Sequence, residues 1–260
     1  MTPGRAARIL AERDPVIARL SEAVGWASIP PPAGTHFAAL VRSVTHQQLA
    51  GAAARAIHGR LVLALAGEVT PERVLATPVA DLRAAGLSAN KVAALVDLSG
   101  KVLDGTVVLD GRRLAAESDD EVVARLCTVR GIGRWSAEMF LLFQLRRPDV
   151  WPVGDLGVRK GFALAWEIPL PSPRQLEALG ERYRPYRSVV AWYCWQAVRI
   201  SAGTAPSLKA APARSAEPGG AGASTGAGQL RRRRQTARGT QTATMPALGA
   251  SDAPSSAPSP

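Results

Sequence analysis

Apolar residues recur at i, i+3 and i+4 spacing through Phe37–Leu65, Lys91–Val102 and Tyr186–Ile200, the pattern of helices that bury one face. Thr70-Pro71, Thr77-Pro78 and Ser172-Pro173 each read as an N-cap followed by proline at the first helical position. Ser118-Asp119-Asp120-Glu121 carries the capping-box pattern and should start a helix that runs to about Val129. Gly131-Ile132-Gly133 follows, a pair of glycines that can form a tight hairpin because glycine tolerates φ > 0. Beyond it, Trp135–Leu145 returns to helical spacing with no breaker. The short apolar runs Arg60–Leu65 and Val107–Leu109 could be strands, but nothing pairs with them. The pattern predicts an all-α domain over residues 1–203.

Past Ala202 the composition changes to Ala, Gly, Ser, Pro and Thr, with few large aliphatics. Such a segment buries too little apolar area to offset its ordering entropy, so residues 204–260 should be a disordered, basic low-complexity tail. The four consecutive arginines Arg231–Arg234 read either as part of a solvated tail or as an arm tethering DNA non-specifically. The tail holds seven basic and two acidic residues, a net +5 of the chain's +11, which leaves +6 for the domain.

A net charge of +11 still favours an anionic partner, and a basic chain carrying a hairpin motif points to nucleic acid. Cys127 and Cys194 lie in apolar helical patterns and read as reduced core residues, as in a cytoplasmic protein. No four-cysteine cluster exists to hold an iron–sulfur centre, and three scattered histidines make no zinc site, so no metal-ligating side chains are expected. No run of 18 apolar residues or signal-peptide pattern is present, which predicts a soluble protein with no membrane association. A monomer, cytoplasmic and associated with the nucleoid, is expected.

The helix–hairpin–helix unit over residues 119–146 would present backbone N–H groups and a helix N-terminus to an anion, a DNA phosphate being the natural one. Next, the Pro- and Gly-containing loop Trp151-Pro152-Val153-Gly154 delivers a single carboxylate, Asp155. An aspartate there would also N-cap a helix over Leu156–Trp166. The two roles are compatible, because a capping carboxylate stays ionised.

Hairpin, amphipathic helix, Pro/Gly loop and aspartate, in that order, resemble the helix-hairpin-helix (HhH-GPD) DNA glycosylases. Three further blocks bring the resemblance to the DNA-3-methyladenine glycosylase II branch: Phe37–Leu40 with Ser43–Leu49, Leu82–Ser88 with Lys91, and Tyr183–Trp195. The resemblance implies excision of alkylated bases from double-stranded DNA, with Asp155 stabilising the oxocarbenium-like sugar and positioning water. It places Trp135 where relatives that also cut the abasic strand have a lysine. An indole cannot form a Schiff base, so the reaction should stop at base release. Trp135, Trp195 and Trp192 become base-pocket candidates, since electron-rich rings attract cationic bases. Trp192 and Trp195 stand at i, i+3, a spacing equally common in cores. Gln48, with Gln47, matches the position that fills the gap left by a flipped nucleotide. His46 departs from the small residue often found beside it. Gly131, Gly133 and Arg134 would bind phosphate, and an alkali-metal ion on hairpin carbonyls is implied. No other cofactor is. Two alternatives stay open: a glycosylase for another damaged or mismatched base, and a non-catalytic DNA-binding module.

Overall fold

The computed structural model describes residues 1–204 apart from Ala33 and Ala50, so the expected tail, with Arg231–Arg234, lies outside the described residues except for Thr204. The described chain is helical, with no strand: Arg60–Ala64 is helix, Leu65 lies in the turn after it and Val107–Leu109 is loop. The helices run α1 (Pro3–Arg13), α2 (Pro15–Val24), α3 (His36–His46), α4 (Gly51–Ala64), α5 (Pro71–Ala76) and α6 (Val79–Ala84). They continue as α7 (Ala89–Leu103), α8 (Gly111–Ala116), α9 (Asp119–Leu126) and α10 (Arg134–Met139). The last three are α11 (Leu156–Trp166), α12 (Pro173–Gly180) and α13 (Arg187–Ser201). None is long and apolar enough to cross a membrane.

Most starts follow the cap chemistry. Thr70 and Ser172 accept N–H bonds from Arg73 and Gln175, and Ser118 and Glu121 form the full capping box. Thr77 does not cap. Its hydroxyl turns back to the Arg73 carbonyl at 2.8 Å, so Thr77 ends α5, and α6 starts at Pro78 without a side-chain cap. The stretch Phe37–Leu65 is two helices rather than one. Gln47 is extended and Gln48 is left-handed (φ 56°), which breaks the hydrogen-bond ladder between α3 and α4. Lys91 Nζ takes the carbonyls of Thr45 and Gln47, at 2.7 and 2.9 Å, and so satisfies that break.

Two groups of helices share one apolar core. One gathers α3 to α7; the other gathers α1, α2, α11 and α13. α11 and α13 cross in near-contact because α11 carries glycine at i and i+4. A Cβ on Gly161 would lie 1.8 Å from the Cys194 carbonyl oxygen, and one on Gly157 would lie 3.0 Å from Trp195 Cδ1. Buried Asp14 pins the N-terminal helices to the second group. It caps α2 and accepts from the Tyr183 hydroxyl at 2.7 Å and from Arg182 at 2.9 Å. Cys194 is buried as expected. Cys127 is not: it follows Leu126, which takes the last buried position of α9, and the turn into the hairpin leaves its thiol exposed.

Candidate active site

The site lies where the two groups meet, around Asp155. Trp151 anchors its loop: the indole is buried and donates to the Leu176 carbonyl at 2.9 Å. A tight turn, with the Asp155 N–H on the Pro152 carbonyl at 2.9 Å, then aims the chain into α11. Asp155 is the N-cap of α11, and its Oδ1 accepts the Val158 N–H at 2.7 Å. Its remaining bonds come from two indoles. Trp195 Nε1 donates to Oδ1 at 3.1 Å, and Trp135 Nε1 donates to Oδ2 at 2.6 Å. With only 7% of its surface exposed, the carboxylate sits in a low-dielectric pocket with three donors aimed at it.

Each indole arrives there for an identifiable reason. Trp195 comes on α13, close to Asp155 because Gly157 leaves room for its ring. Trp135 opens α10, directly after the hairpin, and remains 39% exposed. The helix expected over Trp135–Leu145 changes character midway: Phe140–Gln144 is a π turn, closed by Leu145 N–H on the Phe140 carbonyl at 3.0 Å. The extra residue in that turn brings Phe143, in place of Leu142, round to the face of Trp135. Phe143 stacks on Trp195, centroids 5.7 Å apart and planes at 24°. Spacing counted at 3.6 residues per turn cannot find Phe143. Trp192 takes a different place, edge-on against Tyr193 at 5.1 Å, with no hydrogen bond or ring contact to Asp155, Trp135 or Trp195.

The hairpin uses its two glycines differently. Gly131 has φ 75°, the left-handed conformation that glycine adopts without strain. Gly133 is extended, and a Cβ there would meet no protein atom within 4 Å, so its bareness serves nothing internal and leaves space for a close approach from outside. The N–H groups of Gly131 and Gly133 have no partner among the described residues, and no side chain caps α10. Gln47 ties this hairpin to the α3–α4 turn, donating to the Gly131 carbonyl at 3.0 Å and to Ser136 Oγ at 3.1 Å. Gln48 is exposed and makes no hydrogen bond within the described residues.

Glu138, which the sequence reading passed over, is a second carboxyl beside the site. It is 5% exposed, and burial raises its pKa; the Arg134 guanidinium, 2.9 Å away, opposes that rise, and the Asp155 charge adds to it. Arg134 itself stays largely exposed beside the hairpin. Among the described residues no group of three or more His, Cys, Asp or Glu side chains could hold a metal ion. Around the hairpin, the Thr128 and Gly131 carbonyls accept from Lys101 and Gln47, whereas those of Cys127 and Ile132 accept no hydrogen bond among the described residues.

Comparison with known proteins agrees with this geometry. Residues 41–185 match the family model of the HhH-GPD superfamily base excision DNA repair protein. The DNA-3-methyladenine glycosylase 1 of Schizosaccharomyces pombe is 34% identical over 172 residues, covering 64% of this chain and 74% of that protein. A solved structure of the S. pombe 3-methyladenine DNA glycosylase in complex with abasic DNA superposes with a TM-score of 0.65 at 30% identity, over 76% of this chain and 97% of that one. The DNA-3-methyladenine glycosidase of Bacillus halodurans gives 0.67 at 31% identity, over 77% and 91%. With residues 41–185 matched and most of the helical body superposed on solved relatives, the chain belongs to the HhH-GPD superfamily of base excision DNA repair proteins, on its 3-methyladenine DNA glycosylase branch.

Proposed function

We propose that the protein is a monofunctional DNA glycosylase that hydrolyses the N-glycosidic bond of alkylated bases, of the 3-methyladenine type, in duplex DNA. The observation that carries this reading is the Asp155 carboxylate, buried and held by two indoles, one of them half exposed beside an uncapped hairpin.

In this reading the N–H groups of Gly131 and Gly133 take a phosphate of the damaged strand, with Arg134 adding charge. Gln48, projecting from the turn that Gln47 ties to the hairpin, fills the gap in the stack, and the damaged base turns into the site. A base alkylated on a ring nitrogen is cationic. The exposed face of Trp135 attracts it by stacking and cation–π interaction, and its charge makes it a good leaving group. Trp195, buried with Phe143 on one side, serves to hold Asp155 rather than to stack. As the glycosidic bond lengthens, positive charge gathers on the sugar. Asp155 stabilises that charge and orients the water that replaces the base, whose bond electrons leave with it. The indole at position 135 offers no amine, and Lys160 lies in the second turn of α11, past Asp155, so strand cleavage through a Schiff base is not expected. An alkali-metal ion, if bound, would sit on the free carbonyls of Cys127 and Ile132, where it would supply positive charge close to the phosphate grip.

The test is base release from duplexes that each carry one lesion: 7-methylguanine, 3-methyladenine, ethenoadenine, hypoxanthine or 8-oxoguanine. Release from the alkylated duplexes, without a borohydride-trapped adduct, is the expected result. No release from any alkylated duplex would sink the enzymatic reading, and a trapped adduct would sink the monofunctional one.

A further inference from the structure

Beside the Gln47–Gln48 turn, α3 and α4 bring four basic residues together. His46 and His58 pack edge to face, ring centroids 5.9 Å apart and planes at 86°. His46 Nε2 and His58 Nδ1 are buried without a hydrogen-bond partner. Their other ring nitrogens have no partner among the described residues either, and are not enclosed. Arg42, one turn before His46 on α3, and Arg55, three residues before His58 on α4, add two guanidinium groups, Arg55 being exposed. Among the described residues neither has a carboxylate within 4 Å, whereas most arginines of the domain are engaged by one or by a carbonyl.

The charged groups around the pair are all positive. Arg42 comes from α3, Arg55 from α4 and Lys91 from α7, while Arg60 and Arg83 turn to the Ala85 and Leu87 carbonyls, and Asp81 of α6 is exposed. Burial, reinforced by His58 and these cations, holds His46 down at about 4, and burial with Arg42 lowers His58 too. Unpaired cations around two unpartnered imidazoles gain nothing from one another. An external anion is the group that would satisfy them.

We propose that Arg42, His46, Arg55 and His58 form a second phosphate site, on the α4 side of the Gln47–Gln48 turn, that takes a phosphodiester of the strand opposite the flipped nucleotide. The inference rests on the glycosylase reading for its ligand. If Gln48 stands in the base stack and the hairpin grips the damaged strand, a second cationic surface beside the same turn is placed to meet the complementary strand. The outward nitrogens of His46 and His58 would then donate to phosphate oxygens. Burial and the neighbouring cations lower the pKa of both imidazoles in the free protein, so a bound phosphate raises it and DNA binding takes up protons. Affinity therefore falls as pH rises through the bound-state pKa.

The probe is a duplex with one tetrahydrofuran abasic-site analogue, bound by the full chain and followed by fluorescence anisotropy, which reads binding independently of base release. Changing Arg42→Gln and Arg55→Gln together should make the slope of log K against log salt shallower by about one, the loss of one phosphate contact. His46→Gln with His58→Gln should flatten the rise in affinity between pH 8 and pH 5. A single uncharged methylphosphonate on the undamaged strand should weaken wild type several-fold and leave the double-arginine variant unaffected. Should the histidine variant not fold, the arginine variant, altered at positions without internal bonds, decides alone. Unchanged salt slopes, or a sensitive phosphate found only on the damaged strand, would overturn the proposal. Base release by wild type with unchanged slopes would leave the glycosylase reading standing and remove this site.

Discussion

A carboxylate that must favour a developing cation has to be ionised, fixed and shielded from water, and the three donors around Asp155 do the fixing. Two of them are indole N–H groups, which donate without carrying a positive charge, so they orient the carboxylate without neutralising it. The Trp135 contribution is separable from its ring. Trp135→Phe keeps an aromatic face and removes the 2.6 Å bond to Oδ2, so single-turnover excision should slow by about tenfold, as loss of one charge-assisted bond implies, while DNA affinity changes by less than about threefold. Equal rates in the two proteins would show that the indole N–H does not position the acid. Asp155 and Trp135 were legible in the sequence because a Pro/Gly loop and a hairpin mark their places. Phe143 and Glu138 were not. The first depends on a π turn that periodicity cannot reveal. The second is a glutamate on an amphipathic helix, which reads as solvated until the fold buries it.

At the scale of the elements, the site depends on how closely α11 and α13 approach. Gly161→Ala would drive a methyl group into the Cys194 carbonyl, and the helices must separate to admit it; a loss of about 3 kcal/mol or more in unfolding free energy is expected. Gly157→Ala meets Asp155 Oδ1 at 2.9 Å and the Trp195 ring at 3.0 Å instead, so it should cost less stability and more activity. Denaturant melts and single-turnover rates of both variants check this. A Gly161→Ala protein as stable as wild type would contradict the described packing. Cap chemistry in the sequence located the starts of α5, α9, α11 and α12, because a capping side-chain oxygen acts locally. It failed at Thr77, where the i−4 carbonyl competed for the hydroxyl, and within Phe37–Leu65, where the break at Gln47–Gln48 is held by Lys91 from a helix 44 residues away.

At the scale of the whole molecule, carboxylates tie the chain together, Asp14 to the distant Arg182 and Tyr183 and Glu117 locally to Arg113 and Arg125, and pH reads their contribution. Glu117 is brought down to about 2, chiefly by its hydrogen bonds with Arg125, with Arg113 assisting. Burial pushes Asp14 up, but hydrogen bonds from Tyr183, Val16 and Trp166 outweigh it, and its pKa is lowered. Both folded pKa values lie below the unfolded ones. The stability that Glu117 contributes is therefore complete above about pH 4.5 and is lost as pH falls towards 2, and that of Asp14 is lost on acidification with the same sign. Glu138, raised by burial, has the opposite sign: its ionised form costs stability at neutral pH, and protonation relieves that cost. Thermal melts from pH 7 to pH 2.5 should show a lower Tm for Glu117→Gln at neutral pH and a shallower fall on acidification. Parallel curves for the two proteins would contradict the assignment. Such long-range ties were invisible in the sequence, because nothing local to Asp14 announces Tyr183 as its partner.

In the proposed reaction Asp155 acts on the sugar rather than serving only as a helix cap. The direct measurement is single-turnover release of 7-methylguanine at saturating protein, wild type against Asp155→Asn, with affinity for an abasic-analogue duplex measured in parallel. Asparagine retains the capping oxygen and the size while losing the charge. The account predicts a fall in rate of at least about 100-fold with affinity within about threefold of wild type. A variant that releases the base within about tenfold of the wild-type rate would contradict it.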